Sequence, residues 1–192
     1  MPTNFDAKAE LRRLMRQRRR DLDAGRQARA AEALAQRVEQ LDAWRHCARL
    51  ALYLPADGEI ATAGIALRAR ARAMQLFLPV LAADGRLDFA LWQAQATLRP
   101  NRLNIPEPPP GAARCTPDQL DILCLPLVAW DRRGGRLGMG GGFYDRSLAG
   151  AARPLLVGLA HSCQEVEQVP RDDWDIELDY VATESALLDC RG

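Results

Sequence analysis

The sequence predicts an α/β fold built around parallel strands. Three observations carry this expectation. An apolar strand, a helical stretch and a second apolar strand follow one another between residues 50 and 81; further short apolar runs are bounded by turn residues; and a glycine-rich segment follows one of those runs and opens a helix. Strand–helix–strand units pair in parallel through right-handed crossovers. The chain has 192 residues, 48% hydrophobic and 27% charged, so it is long enough to bury such a core as one domain, residues 1–192, without staples.

Residues 6–22 read as a helix with Leu11, Leu14, Met15 and Leu22 on one side, ended by Asp23-Ala24-Gly25. A second helix is expected over residues 27–44, with Ala31, Leu34, Ala35, Val38, Leu41 and Trp44 as its apolar stripe. Residues 50–54 form a buried strand closed by Pro55 and Asp57-Gly58, residues 62–72 a helix, and residues 75–81 the next strand. Asp84-Gly85 lies between apolar runs at 76–81 and 87–92, the pattern of a hairpin. Residues 101–117 are proline-rich and are read as irregular, a wall of a binding site being the usual role of so long a loop. The apolar run 121–130 contains Pro126, which predicts a bulge or kink, and residues 155–160 and 180–183 supply two further short strands.

Composition narrows the function. Five scattered cysteines with no C-x-x-C pair, and only His46 and His161 beside them, argue against structural zinc and for a reducing compartment. The N-terminus has no apolar h-region and no run reaches membrane-spanning length, so a cytoplasmic protein with no membrane partner is expected. Net charge is +1, yet Lys8, Arg12, Arg13, Arg16, Arg18, Arg19 and Arg20 face a single acid, Glu10, whereas residues 165–184 are acidic. Near-neutral charge overall, without aromatics among those arginines, argues against nucleic acid. Lys8 and Arg12 share a helix face and fit either a polyphosphate clamp or an exposed basic face; Arg13 to Arg20 are assigned to the solvated surface.

Residues 131–146 read DRRGGRLGMGGGFYDR. Glycines let backbone N–H groups approach a phosphate, and Arg136 adds a forked charged donor. The segment is not a P-loop, and Phe143 stands where the last glycine of G-x-G-x-x-G would be. A turn-only reading of the glycines stands beside the phosphate reading.

This segment, with Arg136-Leu137-Gly138, Gly140 and Gly142-Phe143-Tyr144-Asp145-Arg146, resembles the signature loop of the 5-formyltetrahydrofolate cyclo-ligase family. The resemblance runs collinearly through Lys8 and Arg12, Glu59-Ile60 with Thr62, Asn104-Ile105-Pro106-Glu107-Pro108, Asp121-Ile122 with Pro126, Gly158-Leu159-Ala160 with Gln164, Val169-Pro170, Asp175 and Thr183-Glu184. It implies a three-layer α/β sandwich with a mainly parallel central sheet and helices on both faces. It implies as well ATP, Mg²⁺ and a reduced folate, with phosphoryl transfer to the formyl oxygen and ring closure by N10. Carried over residue by residue, ATP falls to Lys8, Arg12, Arg136, Gly138, Gly140, Gly141, Gly142, Phe143 and Tyr144, the folate to Leu54, Glu59, Met139 and Tyr144, catalysis to Arg136 and Tyr144, and Mg²⁺ to Asp145 and Asp175. Several members carry a lysine where this chain has Gly141, which leaves Arg136, Lys8, Arg12 and Mg²⁺ to neutralise the phosphates.

Alternatives stay open for single residues. Glu59 fits a turn as well as the pterin donors; Asp145 fits a salt bridge to Arg136 or Arg146; Asp175 fits a turn cap. Phe143 and Tyr144 fit the core as well as a stacking role, and His161 is read as structural. A monomer is expected.

Overall fold

The computed structural model describes residues 4–101, 104–150 and 152–192. Helix α1 spans Asn4–Arg20 and α2 Ala24–Val38; strand β1 is Arg49–Ala51, α3 Ala63–Ala71, β2 Gln75–Leu81 and β3 Leu87–Leu91. The proline-rich segment contributes β4 at Arg99–Pro100, β5 at Pro106–Glu107 and β6 at Arg114–Cys115. Then follow β7 (Ile122–Pro126), β8 (Ala129–Trp130), β9 (Arg136–Leu137), α4 (Phe143–Leu148), β10 (Leu155–Leu159), β11 (Tyr180–Ala182) and β12 (Leu187–Asp189).

Eight strands form one sheet in the order β12-β11-β10-β7-β1-β2-β3-β6. The five in the middle, from β11 to β2, run parallel, and the two flanks, β12 on one side and β3 with β6 on the other, are antiparallel. Side-chain alternation along the strands fills both faces. Leu50, Leu76, Ile122, Cys124 and Val157 meet Leu34, Ala35, Val38, Ile65 and Ala69 of α2 and α3 on one face. Ala51, Phe77, Leu123, Leu125 and Leu156 meet Leu148 of α4, Trp130 and Leu178 on the other. The three-layer arrangement is as expected, although α4 is the short helix of a second layer otherwise made of loops. Among the described residues, no helix is long and apolar enough to cross a membrane.

Several elements differ from the expected ones for local reasons. The second helix starts at Ala24 because the Asp23 carboxylate accepts the Arg26 N–H at 2.8 Å, and it stops at Val38; a separate 3₁₀ turn, Asp42–Arg45, delivers Trp44 to the core. The run 121–130 breaks after Pro126, where the chain leaves the sheet and β8 pairs instead with β9. Gln164 stitches that exit, donating through Nε2 to the carbonyls of Leu127 (2.7 Å) and Val128 (2.9 Å). The proline-rich segment is not wholly irregular. A two-residue ribbon and an edge strand need few backbone donors, so proline is tolerated there.

The largest correction concerns the arginine cluster. Arg19 is not at the surface: it is fully buried, donating to the Asp57 carbonyl (2.7 Å), the Asp57 carboxylate (2.8 Å) and the Leu127 carbonyl (3.2 Å). Arg16 and Arg20 bind the same carboxylate from the rim. Arg13 stays in solvent, paired with Glu10. Leu14 also points outward, while Met15, one turn before Arg19, packs with Val128, Leu137 and Val169. Burial works to raise the Asp57 carboxyl, but the three guanidinium bonds override it and hold the group at about 2.

Replacing Arg19 by methionine takes one of two donors from the Leu127 carbonyl and removes the buried partner of the Asp57 carboxylate and carbonyl. The expected loss is about 3 kcal/mol of unfolding free energy, the range for breaking a buried ion pair from one side. Arg13→Ala is expected to leave the denaturation midpoint within about 0.5 kcal/mol, as surface changes do. Chemical denaturation of both variants checks this, and equal midpoints would return Arg19 to the surface.

Candidate active site

From β1 the chain moves to β2 and β3 on one side, then returns to lay β7, β10 and β11 on the other. Open α/β sheets bind ligands at such a reversal, beyond the carboxyl ends of the strands. A cleft of about 710 Å³ lies there. Tyr53, Leu54 and Glu59 reach it from the loop after β1, and Pro126, Leu127 and Val128 from the end of β7. The glycine segment, the first turns of α1 and the proline-rich wall complete it. Every residue expected at the site lines this one cleft: Lys8, Arg12, Leu54, Glu59, Arg136, Gly138, Met139, Gly140, Gly141, Gly142, Phe143, Tyr144, Asp145 and Asp175.

Glu59 sits on a loop clipped to itself twice. The Tyr53 hydroxyl donates to the Ile60 carbonyl at 3.0 Å and Thr62 Oγ1 donates to the Tyr53 carbonyl at 2.7 Å. Glu59 Oε2 accepts the Ala56 N–H at 3.1 Å, and its Oε1 lies 4.0 Å from Arg19 Nη1. Burial pushes the Glu59 carboxyl above its ordinary range, against the pull of the Ala56 N–H and Arg19. Burial, and then the charge of Glu59, likewise raise the hydroxyls of Tyr53 and Tyr144, so both stay protonated in its neighbourhood. Tyr144 also packs against the core beneath it.

The glycine segment divides in two. Its first half is a turn pinned by the buried Asp131 carboxylate, which accepts the N–H groups of Arg133, Gly135 and Val169 at 2.9–3.0 Å and an Arg171 guanidinium. Gly134 and Gly135 therefore belong to the β8–β9 turn and not to the cleft. The second half lines the cleft with positive φ at Gly140 (+100°) and Gly142 (+61°). A Cβ on Gly141 would stand 2.6 Å from the Phe143 ring, so that ring covers the loop at this point. Arg12 holds the segment from above, its Nε donating to the Gly138 carbonyl at 2.9 Å.

Charge around the loop is zoned. Arg136 is paired with Asp145 at 2.6 Å, and Lys8 with Asp172 (2.8 Å) and Asp175 (2.7 Å). Burial works to lower the Lys8 pKa, and the two carboxylates raise it above its ordinary value. Among the described residues, Arg12 and Arg146 make no ion pair; Arg146 instead lies over the Phe143 ring, 5.2 Å from its centroid, and donates to the Gly85 carbonyl. The unpaired positive charge beside the loop thus comes from Arg12 and Arg146, with Arg136 already matched by a carboxylate.

Asp145 and Asp175 do approach one another, since the N–H of Ile176, the residue after Asp175, donates to Asp145 Oδ1 at 3.2 Å. Asp175 also caps its own turn, accepting the Asp172 N–H at 2.9 Å. Each carboxylate spends one oxygen on these contacts, Oδ1 of Asp145 and Oδ2 of Asp175. The other oxygens are hard donors at the cleft, a set that fits a Mg²⁺ held mainly by phosphates.

Sequence reading assigned no site role to Phe5, Glu107, Arg146, Asp172 or Trp174, all of which line the cleft, although Glu107 and Arg146 lie in motifs that carry the resemblance. The acidic spacing of Asp172 and Asp175 was the available signal for that rim. Glu107 fastens the proline wall, accepting the Leu81 N–H at 3.0 Å and the Asn101 amide at 2.7 Å.

Comparison with known proteins identifies the family. The family model for the 5-formyltetrahydrofolate cyclo-ligase family matches residues 4–184. The 5-formyltetrahydrofolate cyclo-ligase of Haemophilus influenzae is 36% identical over 180 residues, 91% of this chain and 96% of its own. That of Escherichia coli K12 is 38% identical over 179 residues, 91% of this chain and 98% of its own. The solved 5,10-methenyltetrahydrofolate synthetase of Aquifex aeolicus superposes with a TM-score of 0.85 at 31% identity, covering 96% of this chain and 93% of that one. The cleft, its loop and these likenesses along the whole sequence place the chain in the 5-formyltetrahydrofolate cyclo-ligase family.

Proposed function

We propose that this protein uses ATP to convert 5-formyltetrahydrofolate to 5,10-methenyltetrahydrofolate, releasing ADP and phosphate. The observation that carries this reading is that one cleft joins a half-buried carboxylate, Glu59, to a glycine loop flanked by unpaired guanidiniums. The formyl oxygen is a poor leaving group. Transfer of the γ-phosphoryl group to it makes phosphate the leaving group, N10 attacks the activated carbon, and the C–O bond breaks as the five-membered ring closes. Such chemistry needs positioning and charge neutralisation more than a protein nucleophile.

The residues divide that task. Glu59 accepts the N–H groups of the pterin, Leu54 and Met139 border the folate, and Tyr144 donates its hydroxyl from beside Glu59. Gly138, Gly140, Gly141 and Gly142 let the loop backbone approach the phosphates, with Phe143 packed over them. Lys8, Arg12 and Arg136 bring positive charge to the same place. Asp145 and Asp175 would hold Mg²⁺, which when bound supplies charge neutralisation to the phosphates. The local balance favours a metal that arrives with the nucleotide: three carboxylates, Asp145, Asp172 and Asp175, are already offset by two cations, Lys8 and Arg136.

Turnover is expected to require ATP and a divalent cation, and to need more Mg²⁺ in Asp145→Asn and Asp175→Asn. Following methenyltetrahydrofolate absorbance checks both points. Full activity with ADP, or in excess chelator, contradicts the mechanism.

Glu59→Gln is expected to raise the folate KM by the equivalent of about 1.5–3 kcal/mol, the size of a charged hydrogen bond, with little change for ATP. Acid should act on the same group. Its carboxyl sits above the ordinary glutamate range, so the ionised form is lost as pH falls through that raised value, and the folate KM climbs. Protonating Glu59 does not destabilise the fold. Asp57 has the opposite sign: its depressed pKa contributes stability that is present above about 3.8 and lost as pH falls toward about 2. Folate affinity should therefore fall at a higher pH than the fold, and a KM flat down to the unfolding pH rules out the role for Glu59.

Gly140→Ala and Gly142→Ala place a side chain at positive φ and are expected to lower turnover at least about tenfold. A Cβ on Gly138 meets no protein atom within 4 Å, so a loss of turnover in Gly138→Ala reports the approach of the phosphates, and wild-type turnover removes Gly138 from the cradle. Kinetics on the three variants, with circular dichroism as control, test the cradle.

A further inference from the structure

Six large apolar side chains stand exposed among the described residues, and four of them, Phe5, Ile105, Met139 and Trp174, line the one cleft. Scattered exposed apolar residues are ordinary; their concentration at one mouth points to a ligand. Phe5 (77% exposed) and Trp174 (72%) are the two most open of all. They occupy the same rim. Asn4 donates to the Arg171 carbonyl at 3.4 Å and to Asp172 at 2.5 Å, and Lys8, one turn after Phe5, grips Asp172 and Asp175 on either side of Trp174.

We infer that Phe5 and Trp174 form the platform on which the base of the nucleotide stacks. The inference rests on the proposed function and assigns the part of the ATP site that the glycine loop does not explain. Electrostatics selects the occupant. The rim around Trp174 carries Asp172, Asp173, Asp175 and Glu177 against Lys8, which pairs with Asp172 and Asp175, and Arg171, which pairs with Glu177, so acids outnumber bases there. The other aromatic group the cleft must admit, the p-aminobenzoyl unit of the folate, ends in glutamate carboxylates that this rim repels. A nucleobase is neutral, and its exocyclic amino group finds acceptors in the same carboxylates. Position agrees with charge. Phosphates beside Lys8, Arg12 and the glycine loop, with the γ-phosphoryl group directed inward toward a folate held at Glu59, leave the base at the outer rim. Phe5 and Trp174 are the aromatic faces available there.

The chain carries its own reporter. Trp44 and Trp130 are buried and Trp92 is half-buried under Arg70, so Trp174 is the one exposed tryptophan of four. Addition of ATP without folate should quench intrinsic fluorescence, whereas tripolyphosphate should compete for the site without quenching. Trp174→Phe should abolish the quench while nearly keeping the KM for ATP. Trp174→Ala should raise that KM about tenfold, the size of one base–aromatic stack, and leave the folate KM within about twofold. Phe5→Ala should act in the same direction. A quench that survives in Trp174→Phe, or a rise in Trp174→Ala confined to the folate KM, overturns the platform. If ATP supports no turnover in the wild-type protein, the proposed function falls first, and the two failures are distinct.

Discussion

The buried guanidinium of Arg19 is the contact on which the geometry of this molecule turns. It reaches from α1 to both sides of the sheet's switch point, binding Asp57 in the loop after β1 and the Leu127 carbonyl just past β7. Without it, the helix that carries Lys8 and Arg12 would keep the small apolar cluster of Leu11, Met15, Val128, Leu137 and Val169 and the more exposed polar contacts of Lys8, Arg12, Arg16 and Arg20, but no buried polar tie to the switch point. A buried charge is costly unless its donors are filled, and here the carboxylate and the two carbonyls fill them. Asp57 adopts a left-handed φ of +51°, so the same bond also fixes the turn that presents Glu59 two residues later. Stability and site geometry share one group.

That sharing sets the electrostatics of Glu59. Burial disfavours its charge, while a guanidinium 4.0 Å away favours it. Arg19 is itself partly neutralised by Asp57, which keeps its pull on Glu59 modest. The outcome is a carboxylate easier to protonate than a surface glutamate, beside two tyrosines that stay protonated. Such an environment suits accepting hydrogen bonds from a ligand better than removing a proton from one.

The fold was legible where the sequence has strong periodicity: the strand–helix–strand unit at 50–81, the hairpin at Asp84-Gly85 and the break at Pro126 all follow from local chemistry. Two-residue strands such as Arg136–Leu137 and Arg114–Cys115 were not, because long-range register and not local preference makes them strands. The site residues were found by the resemblance more than by spacing, and the structure adds that they converge on one cleft. Arg19 was missed because an arginine in a run of seven basic residues carries no mark of burial. Its only local trace is the four-residue step from Met15, which continues the buried face of α1. Gly134 and Gly135 were grouped with the loop because their glycine character is visible, whereas the Asp131 carboxylate that uses them acts through long-range contacts.

The absence of a lysine at Gly141 acquires a steric reason. The Phe143 ring occupies the space into which any side chain at 141 would project, the closest approach being 2.6 Å. Ring and glycine are therefore coupled, and a lysine there requires the aromatic to move first. The ring in turn supports Arg146, whose guanidinium reaches to 2.8 Å of where a Cβ on Gly142 would stand. Positive charge thus borders the loop from two elements, α1 through Arg12 and α4 through Arg146, instead of from the loop itself. A cation held by packing on a ring and by a carbonyl bond to Gly85 has fewer freely rotating bonds than a lysine on a glycine-rich loop. It also ties the loop's position to the β2–β3 hairpin, so the glycine segment is braced from both ends although its own glycines restrict the backbone little.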